Sequence, residues 1–117
     1  MKENKYSQKV TDYLKSVGAL VDNNTASIFA RVGRSDLTVL YKGVFIALEL
    51  KTGNYQPTDL QIRYLQKVRD NGGIGIILRD TLDELQTLLY YIDNNQLKDY
   101  KQPKLPELSP DIGIIFD

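Results

Sequence analysis

Two alternating segments joined by a two-residue turn constrain the fold more than any other feature of the sequence. Residues 35–41, SDLTVLY, and residues 44–51, VFIALELK, flank Lys42-Gly43. Gly43 can adopt the positive φ that tight hairpin turns require. With this turn Tyr41 opposes Val44, and side chains alternate between two faces. The sequence therefore predicts an antiparallel hairpin in one register.

This register separates an apolar face from a charged face. The apolar face carries Leu37, Val39, Tyr41, Val44, Ile46, Leu48 and Leu50. The other face carries Asp36, Thr38, Leu40, Phe45, Ala47, Glu49 and Lys51. A slip of one residue would mix the two sets, so the pattern specifies the register strongly. We expect the apolar face to build the core and the other face to present a site.

The charged face brings two carboxylates together. In this register Asp36 opposes Glu49, with Cβ atoms about 4.5–5.5 Å apart, where like charges are destabilising. A divalent cation would compensate, since it takes carboxylate oxygens from two directions. Lys51 follows on the same face and would lie beside the ion. The alternative is a solvated hairpin end on which Lys51 merely pairs with the two acids, because Glu-x-Lys is a common sequence.

The composition narrows the chemistry of such a site. The chain has no cysteine and no histidine, which excludes disulfides, thiolate metal sites, a histidine base and the usual zinc ligands. A metal must be held by oxygen, which favours Mg²⁺, Mn²⁺ or Ca²⁺; of these we expect Mg²⁺, with Mn²⁺ as a substitute. No apolar run reaches membrane-spanning length and the N-terminus is polar, so we expect a soluble, cytoplasmic protein without a membrane partner.

The charge is polarised although the net charge is zero. Residues 1–79 contain 12 Lys and Arg against 7 Asp and Glu, whereas residues 80–117 contain 3 against 8. The basic part holds the candidate site, which favours a nucleic-acid partner. An accident of composition in a small protein is the alternative.

The remaining patterns predict an α/β fold with a mixed central sheet flanked by helices. The expected elements are a helix over 3–17, a short strand at 20–21, a strand over 27–32, the hairpin, a helix from Thr58 or Asp59 to 71–72, a buried strand over 73–79, and a helix opened by a Thr81–Glu84 capping box. We assign residues 1–92 to this domain. Residues 93–117 form a polar, proline-containing extension, with its last residues a candidate edge strand or dimer contact.

Residues 33–78 resemble the PD-(D/E)XK nuclease superfamily, closest to the VRR-NUC type of small phage and bacterial nucleases. The pattern of that family is Gly-x-Pro-Asp, a hairpin, Glu-x-Lys, a Gln opening the next helix, and a Gly-rich turn into an apolar strand. The corresponding elements here are Gly33 to Asp36, Glu49-Leu50-Lys51, Gln61 and Gly72-Gly73. Ser35 stands where the family usually has proline. The resemblance implies a restriction-endonuclease-like fold.

The resemblance also implies roles for individual residues. Asp36 and Glu49 would hold the metal, with the main-chain carbonyl of Leu50 as a further ligand. Lys51 would position or activate the attacking water and stabilise charge on the phosphate. Gln61 would lie beside the metal and orient water or the scissile strand. Glu3 on the first helix is a candidate further ligand, although a first-turn glutamate also complements the helix dipole.

Four basic side chains are candidates for contacts to the DNA backbone: Arg31, Arg34, Arg63 and Lys67. Ordinary solvated cations are the alternative for each of them. The implied function is that of a Mg²⁺-dependent DNA endonuclease that resembles Holliday junction resolvases, acting on branched DNA as a homodimer because two symmetric cuts need two sites. Three alternatives stay open: a nuclease without junction preference, a non-cleaving DNA-binding module on the same fold, and a protein-interaction domain with a chance Glu-x-Lys.

Overall fold

The computed structural model describes residues 3–24 and 33–110. Its elements, in chain order, are α1 (Glu3–Ser16), β1 (Leu20–Asn23), β2 (Leu37–Tyr41), β3 (Val44–Lys51), α2 (Asp59–Asp70), β4 (Ile74–Arg79), α3 (Asp83–Asp93) and a 3₁₀ turn (Leu97–Asp99). The strand predicted over 27–32 and the tail 111–117 lie outside the described residues. In the part described, no helix has the length and apolar character that crossing a bilayer requires.

One four-stranded mixed sheet organises the molecule, in the order β1-β2-β3-β4. The pairs β1–β2 and β2–β3 are antiparallel and β3–β4 is parallel. The hairpin has the predicted register, since Thr38 pairs with Ala47 and Tyr41 with Val44. Lys42 (φ 47°) and Gly43 (φ 83°) both have positive φ, as in the hairpin turns that match strand twist.

Helices cover the two faces of the sheet unequally. Against one face pack α1 and α3, which bury side chains such as Tyr6 and Leu88 on the predicted apolar face of the hairpin. Against the other face packs α2, through a smaller cluster of Ala47, Leu65 and Val68. A Cβ on Gly75 would lie 2.6 Å from the Leu65 carbonyl oxygen, so glycine at this position allows α2 to approach β4. The predicted α/β fold with a mixed, helix-flanked sheet is confirmed.

The capping box occurs at a different helix from the one predicted. Thr58 is the N-cap of α2, and its side chain and that of Gln61 exchange hydrogen bonds with each other's backbone N–H. At α3 the prediction was wrong: Leu82 is the N-cap and no side chain caps it. The Thr81 N–H, which a box would donate to Glu84, instead donates to the Arg79 carbonyl (2.7 Å), and Glu84 Oε2 accepts a hydrogen bond from the Tyr100 hydroxyl.

Residues 101–110, which we name the C-terminal strap, have no regular secondary structure, as their prolines predict. The Gln102 side chain accepts a hydrogen bond from the Gly75 N–H (2.9 Å) and donates one to the Gly73 carbonyl (3.2 Å). It thereby occupies main-chain groups of the edge strand β4. Arg69 of α2 donates to the Pro103 carbonyl (2.7 Å). The strap therefore packs on the domain that precedes it.

Candidate active site

Glu49 is the one carboxylate that is fully buried in the described part of the chain. The alternation of β3 directs it to the α2 side of the sheet, as the hairpin register predicts. Removing a carboxylate from water is unfavourable unless other groups compensate for its charge. A fully buried glutamate on a strand that otherwise reads as core therefore indicates a site.

Asp36 lies next to Glu49, as the register predicts. The β2–β3 ladder ends at the pair Leu37–Leu48, so Asp36 takes the next position, opposite Glu49. The Leu50 N–H donates a hydrogen bond to Asp36 Oδ2 (2.8 Å). The pKa of Glu49 is raised to about 7, mainly by burial and then by the charge of Asp36, while Lys51 opposes the shift. The two carboxylates thus interact directly.

Lys51 completes this group. Its Nζ lies 2.9 Å from Glu49 Oε2, and its side chain is only 13% exposed. A partly buried ammonium at this distance is an ion pair in a low-dielectric setting, where it counts for more than a surface pair. The sequence-predicted trio of Asp36, Glu49 and Lys51 is therefore brought together at the ends of β2 and β3.

The carboxylate of Glu49 fits a bound metal ion. In the part of the chain that the structure describes, no donor of regular hydrogen-bond geometry reaches either of its oxygens, although Lys51 is close enough to pair. Buried polar atoms are rarely left in this condition. Two buried oxygens approached only by the Lys51 ammonium among the described residues, facing a second carboxylate, suit Mg²⁺ or Mn²⁺.

A third ligand from the main chain is compatible with the strand geometry. The described residues contain no cluster of three or more His, Cys, Asp or Glu suited to a metal. In an antiparallel ladder one residue directs its N–H and its C=O to the same side. Because the Leu50 N–H reaches Asp36, the Leu50 carbonyl faces the same edge, beyond the last ladder pair. The side chain of Glu3, the other candidate ligand, lies outside the described part.

Asn24 holds the backbone around Asp36, a role that the sequence analysis missed. Its N–H donates to the Asp36 carbonyl (2.9 Å). Its side-chain amide donates to the Ser35 carbonyl (3.0 Å) and to Thr38 Oγ1 (2.8 Å). Buried Ser35 donates to the Leu37 carbonyl (3.1 Å). Asn24 falls in a polar run that reads as a turn, and no local signal distinguishes it there.

Arg79 and Asp80 brace the loop that follows Lys51. Arg79 Nη1 donates to the carbonyls of Gly53 (2.8 Å) and Tyr55 (2.6 Å). The Asp80 carboxylate accepts from the Gly53 N–H (3.0 Å), and the Asp80 N–H donates to the Lys51 carbonyl (3.2 Å). The parallel pairing of Lys51 with Arg79 brings these two segments together. In the sequence Arg79 reads only as the end of the strand predicted over 73–79, and no local pattern singles out Asp80.

The remaining predicted residues are Gln61 and the four basic side chains. Gln61 uses its side-chain oxygen to accept the Thr58 N–H (2.9 Å) at the start of α2, so the structure gives it a capping contact, and its catalytic role stays a prediction. Arg34, Arg63 and Lys67 line one groove beside α2. Arg31 lies outside the described residues.

Comparisons with known proteins agree with this architecture. No protein-family model matches the chain, and no curated protein matches it. A solved structure of a VRR_NUC domain is similar, with a TM-score of 0.61 and 23% sequence identity, over 76% of this chain and 95% of that domain. A similarity of this degree concerns the fold. The chain therefore has the restriction-endonuclease-like fold of a VRR_NUC domain.

Proposed function

We propose that this protein is a metal-dependent nuclease that hydrolyses phosphodiester bonds in DNA. The observation that carries the proposal is the buried Glu49 carboxylate, which has no donor of regular geometry among residues 3–24 and 33–110 and lies opposite Asp36 with Lys51 at 2.9 Å. A structural ion pair would not require a second acid at this position. The fold shared with a VRR_NUC domain supports the same reading.

The chain offers a defined set of groups for this chemistry. Asp36, Glu49 and the Leu50 carbonyl would hold Mg²⁺ or Mn²⁺, which when bound supplies a water of lowered pKa and polarises a phosphoryl oxygen. The Lys51 ammonium stabilises negative charge that develops on the phosphate, in a site where little water weakens the interaction. The Asn24 contacts and the Arg79–Asp80 brace keep these groups in place before substrate arrives.

The finer parts of the proposal concern the substrate and the assembly. A domain of this size has little surface for reading bases, which favours recognition of DNA shape or branching over a long sequence. Resolution of a four-way junction requires two symmetric cuts, and two copies related by a two-fold axis would supply them. We therefore propose branched DNA as the substrate and a homodimer as the active form.

One observation favours a non-cleaving DNA-binding module as the second candidate. The side chain of Gln61 is engaged in the α2 capping box instead of standing free beside the acids. A module of this kind would bind DNA without hydrolysing it at any metal concentration.

A metal-titrated cleavage assay on single strands, duplex, flaps, splayed arms and four-way junctions tests these readings. We expect Mg²⁺-dependent cleavage with a preference for branched substrates. Glu49→Gln and Lys51→Ala should abolish cleavage, whereas Asp93→Asn and Lys42→Ala, which remove the surface ion pair Lys42–Asp93 (2.7 Å), should retain it. Binding without cleavage would support the module instead. Equal digestion of every substrate would remove the junction preference and leave the nuclease.

A further inference from the structure

The strongest unassigned feature is a groove of about 1080 Å³ between α2 and the C-terminal strap. Three segments line it: Gly33-Arg34, the exposed side of α2, and strap residues 104–108. Its cationic lining comes from Arg34, Arg63, Lys67, Arg69 and Lys104. Only two carboxylates join them among the described lining residues. In a chain of zero net charge, this is a concentrated basic surface that suits a polyanion.

The strap is held at both ends of α2. Arg69 near the end of α2 donates to the Pro103 carbonyl (2.7 Å), and the Ser109 N–H donates to Asp59 at its first residue (3.1 Å). The ten-residue helical span covers about 15 Å, while six extended residues of strap reach about 19 Å. Little slack remains, so the strap forms a firm wall and places Lys104 on the groove.

A second hollow of about 310 Å³ adjoins the groove and supplies aromatic surface. Phe45 and Tyr64 both line it, and Tyr64 and Lys67 line the groove as well. Phe45 is 43% exposed although it projects from the central strand β3. Gly73 at the rim has no side chain, and a Cβ there would lie 3.3 Å from Phe45 Cδ1. The hollow is therefore open to a flat ligand group.

One end of the groove lies at the start of α2. Gly33 packs on the first turn of α2, where a Cβ would lie only 2.8 Å from Leu60 Cβ, and its φ of +88° favours glycine. Asp36 follows three residues later, and three residues span at most about 11 Å. This end of the groove therefore lies near the candidate metal site, although none of Asp36, Glu49 and Lys51 lines it.

We infer that this groove binds a single strand of nucleic acid, with phosphates on Lys67 and Lys104 and a base against Phe45 and Tyr64. Cations that follow a backbone beside aromatic rings that stack on bases are the means by which proteins hold unpaired strands. The inference rests on the proposed action on DNA and deepens it, since the groove would receive the unpaired arm of a flap or splayed-arm substrate in preference to a fully paired four-way junction. It also gives the C-terminal strap a part in binding.

The first test measures affinity for a fluorescein-labelled dT₁₂ strand in EDTA, across a range of salt. Lys104→Ala should weaken binding several-fold and reduce the slope of log K against log salt by about 0.7, the value for one phosphate contact on a single strand. Lys98→Ala, at an exposed lysine of the 3₁₀ turn that lies outside the groove lining, should change neither quantity. Identical behaviour of the two variants would overturn the inference. So would an equal loss on a 12-base-pair duplex.

The second test addresses the aromatic hollow. Phe45→Ala should weaken dT₁₂ binding about five-fold or more, because stacking on one base contributes at least about 1 kcal/mol. Leu40→Ala is the matched control: Leu40 pairs with Phe45 across the hairpin, is 47% exposed and lines neither cavity. The chain has no tryptophan, so Phe45→Trp and Leu40→Trp each introduce a single reporter. Quenching by dT₁₂ of the first reporter alone supports the inference.

Three outcomes of this experiment overturn the inference or separate it from the proposed function. A Phe45→Trp signal that changes with protein concentration in the absence of DNA would assign the hollow to a second copy of the chain and overturn it. Mg²⁺-dependent cleavage that persists with unchanged dT₁₂ affinity in Lys104→Ala and Phe45→Ala would overturn it while leaving the nuclease. Binding that depends on both residues, in a protein that never cleaves, would support it and end the nuclease proposal.

Discussion

Two lysine–carboxylate pairs stand at opposite ends of β3 and differ in almost everything except distance. Lys51 and Glu49 are 2.9 Å apart with side chains 13% and 0% exposed, whereas Lys42 and Asp93 are 2.7 Å apart with 57% and 42% exposed. Burial raises the pKa of Glu49 to about 7. Hydrogen bonds from Lys42 and Tyr41 lower the pKa of Asp93. The same lysine–carboxylate contact therefore occurs where the environment disfavours the charged form of Glu49 and where it favours the charged form of Asp93.

The difference shows how environment separates a reactive pair from a structural one. At the hairpin turn, water and the Tyr41 hydroxyl (2.7 Å) satisfy Asp93. At the end of β3, Glu49 has a second acid as its neighbour and, within the described part of the chain, no donor of regular geometry. Strongly perturbed carboxylates of this kind cluster at functional sites. The surface pair Lys42–Asp93 is therefore an internal reference for the buried pair Lys51–Glu49.

The largest expected effect is on catalytic activity, which should depend on Glu49 and not on Asp93. Glu49→Gln preserves volume but removes the charge that would hold a metal, so we expect cleavage to fall by at least about a thousand-fold. Asp93→Asn should leave the rate within about two-fold. Single-turnover cleavage at saturating Mg²⁺ measures both. Comparable losses in the two variants would show that Glu49 has no special role.

The next effect concerns the hydrogen bonds by which Asn24 holds the backbone around Asp36, beside the buried pair. Asn24→Ala removes the amide that holds Ser35 and Thr38, so Asp36 should be less well oriented and Mn²⁺ affinity should fall about 10- to 100-fold. Asn94→Ala removes a similar amide bond, to the Tyr90 carbonyl (2.8 Å), at the far end of α3. It should leave Mn²⁺ affinity unchanged. Electron paramagnetic resonance of free Mn²⁺ gives both values independently of catalysis, and equal affinities would contradict the role assigned to Asn24.

The pH dependence of stability should distinguish the pairs in the metal-free protein. The pKa of Glu49 is about 7 in the folded state against an ordinary 4.5, so between these values the folded state binds more protons than the unfolded state. Stability therefore falls as pH rises from about 4.5 to 7, by roughly 2–3 kcal/mol. Glu49→Gln should remove this slope.

Urea unfolding at pH 5, 6, 7 and 8 measures the slope directly. The Asp93 pKa is lowered, so its contribution is present above its unfolded pKa and is lost only in more acidic solution. Asp93→Asn should therefore leave the slope between pH 5 and 8 intact. A flat profile in the wild-type protein would show that the carboxylate of Glu49 is better solvated than its burial indicates.

The smallest expected effect is the response to salt. Surface pairs are screened at high ionic strength, whereas buried pairs are screened much less. The small destabilisation expected for Lys42→Ala at 50 mM NaCl should disappear at 1 M, while that of Lys51→Ala should persist. Thermal unfolding of each variant at each of the two salt concentrations, compared with the wild-type protein at pH 8, measures both effects. Equal salt sensitivity would mean that water reaches Lys51 and Glu49 freely.

The sequence predicted the hairpin and the meeting of Asp36 with Glu49, because side chains alternate between the two faces of a strand and this alternation fixes the register of every pair. It failed where partners are distant in sequence. The Gln102–Gly75 and Tyr100–Glu84 bonds depend on how the chain folds back after α3. The Thr58–Gln61 and Thr81–Glu84 sequences both satisfy the capping pattern locally, and they differ in the contacts of the folded chain, where the Thr81 N–H donates to the Arg79 carbonyl and Glu84 accepts from Tyr100. Asn24 likewise acquires its role through residues 11 and 14 positions away.

The amide of Gln102 has a consequence for self-association. An unprotected sheet margin templates further strands, which leads to domain swapping and fibrils. Here a single side chain mimics the missing neighbour by engaging the amide hydrogen of Gly75 and the carbonyl of Gly73. Strand addition beside β4 would first have to displace it. The C-terminal strap, which contains Gln102, therefore protects this end of β4 from strand addition as well as forming a wall of the groove.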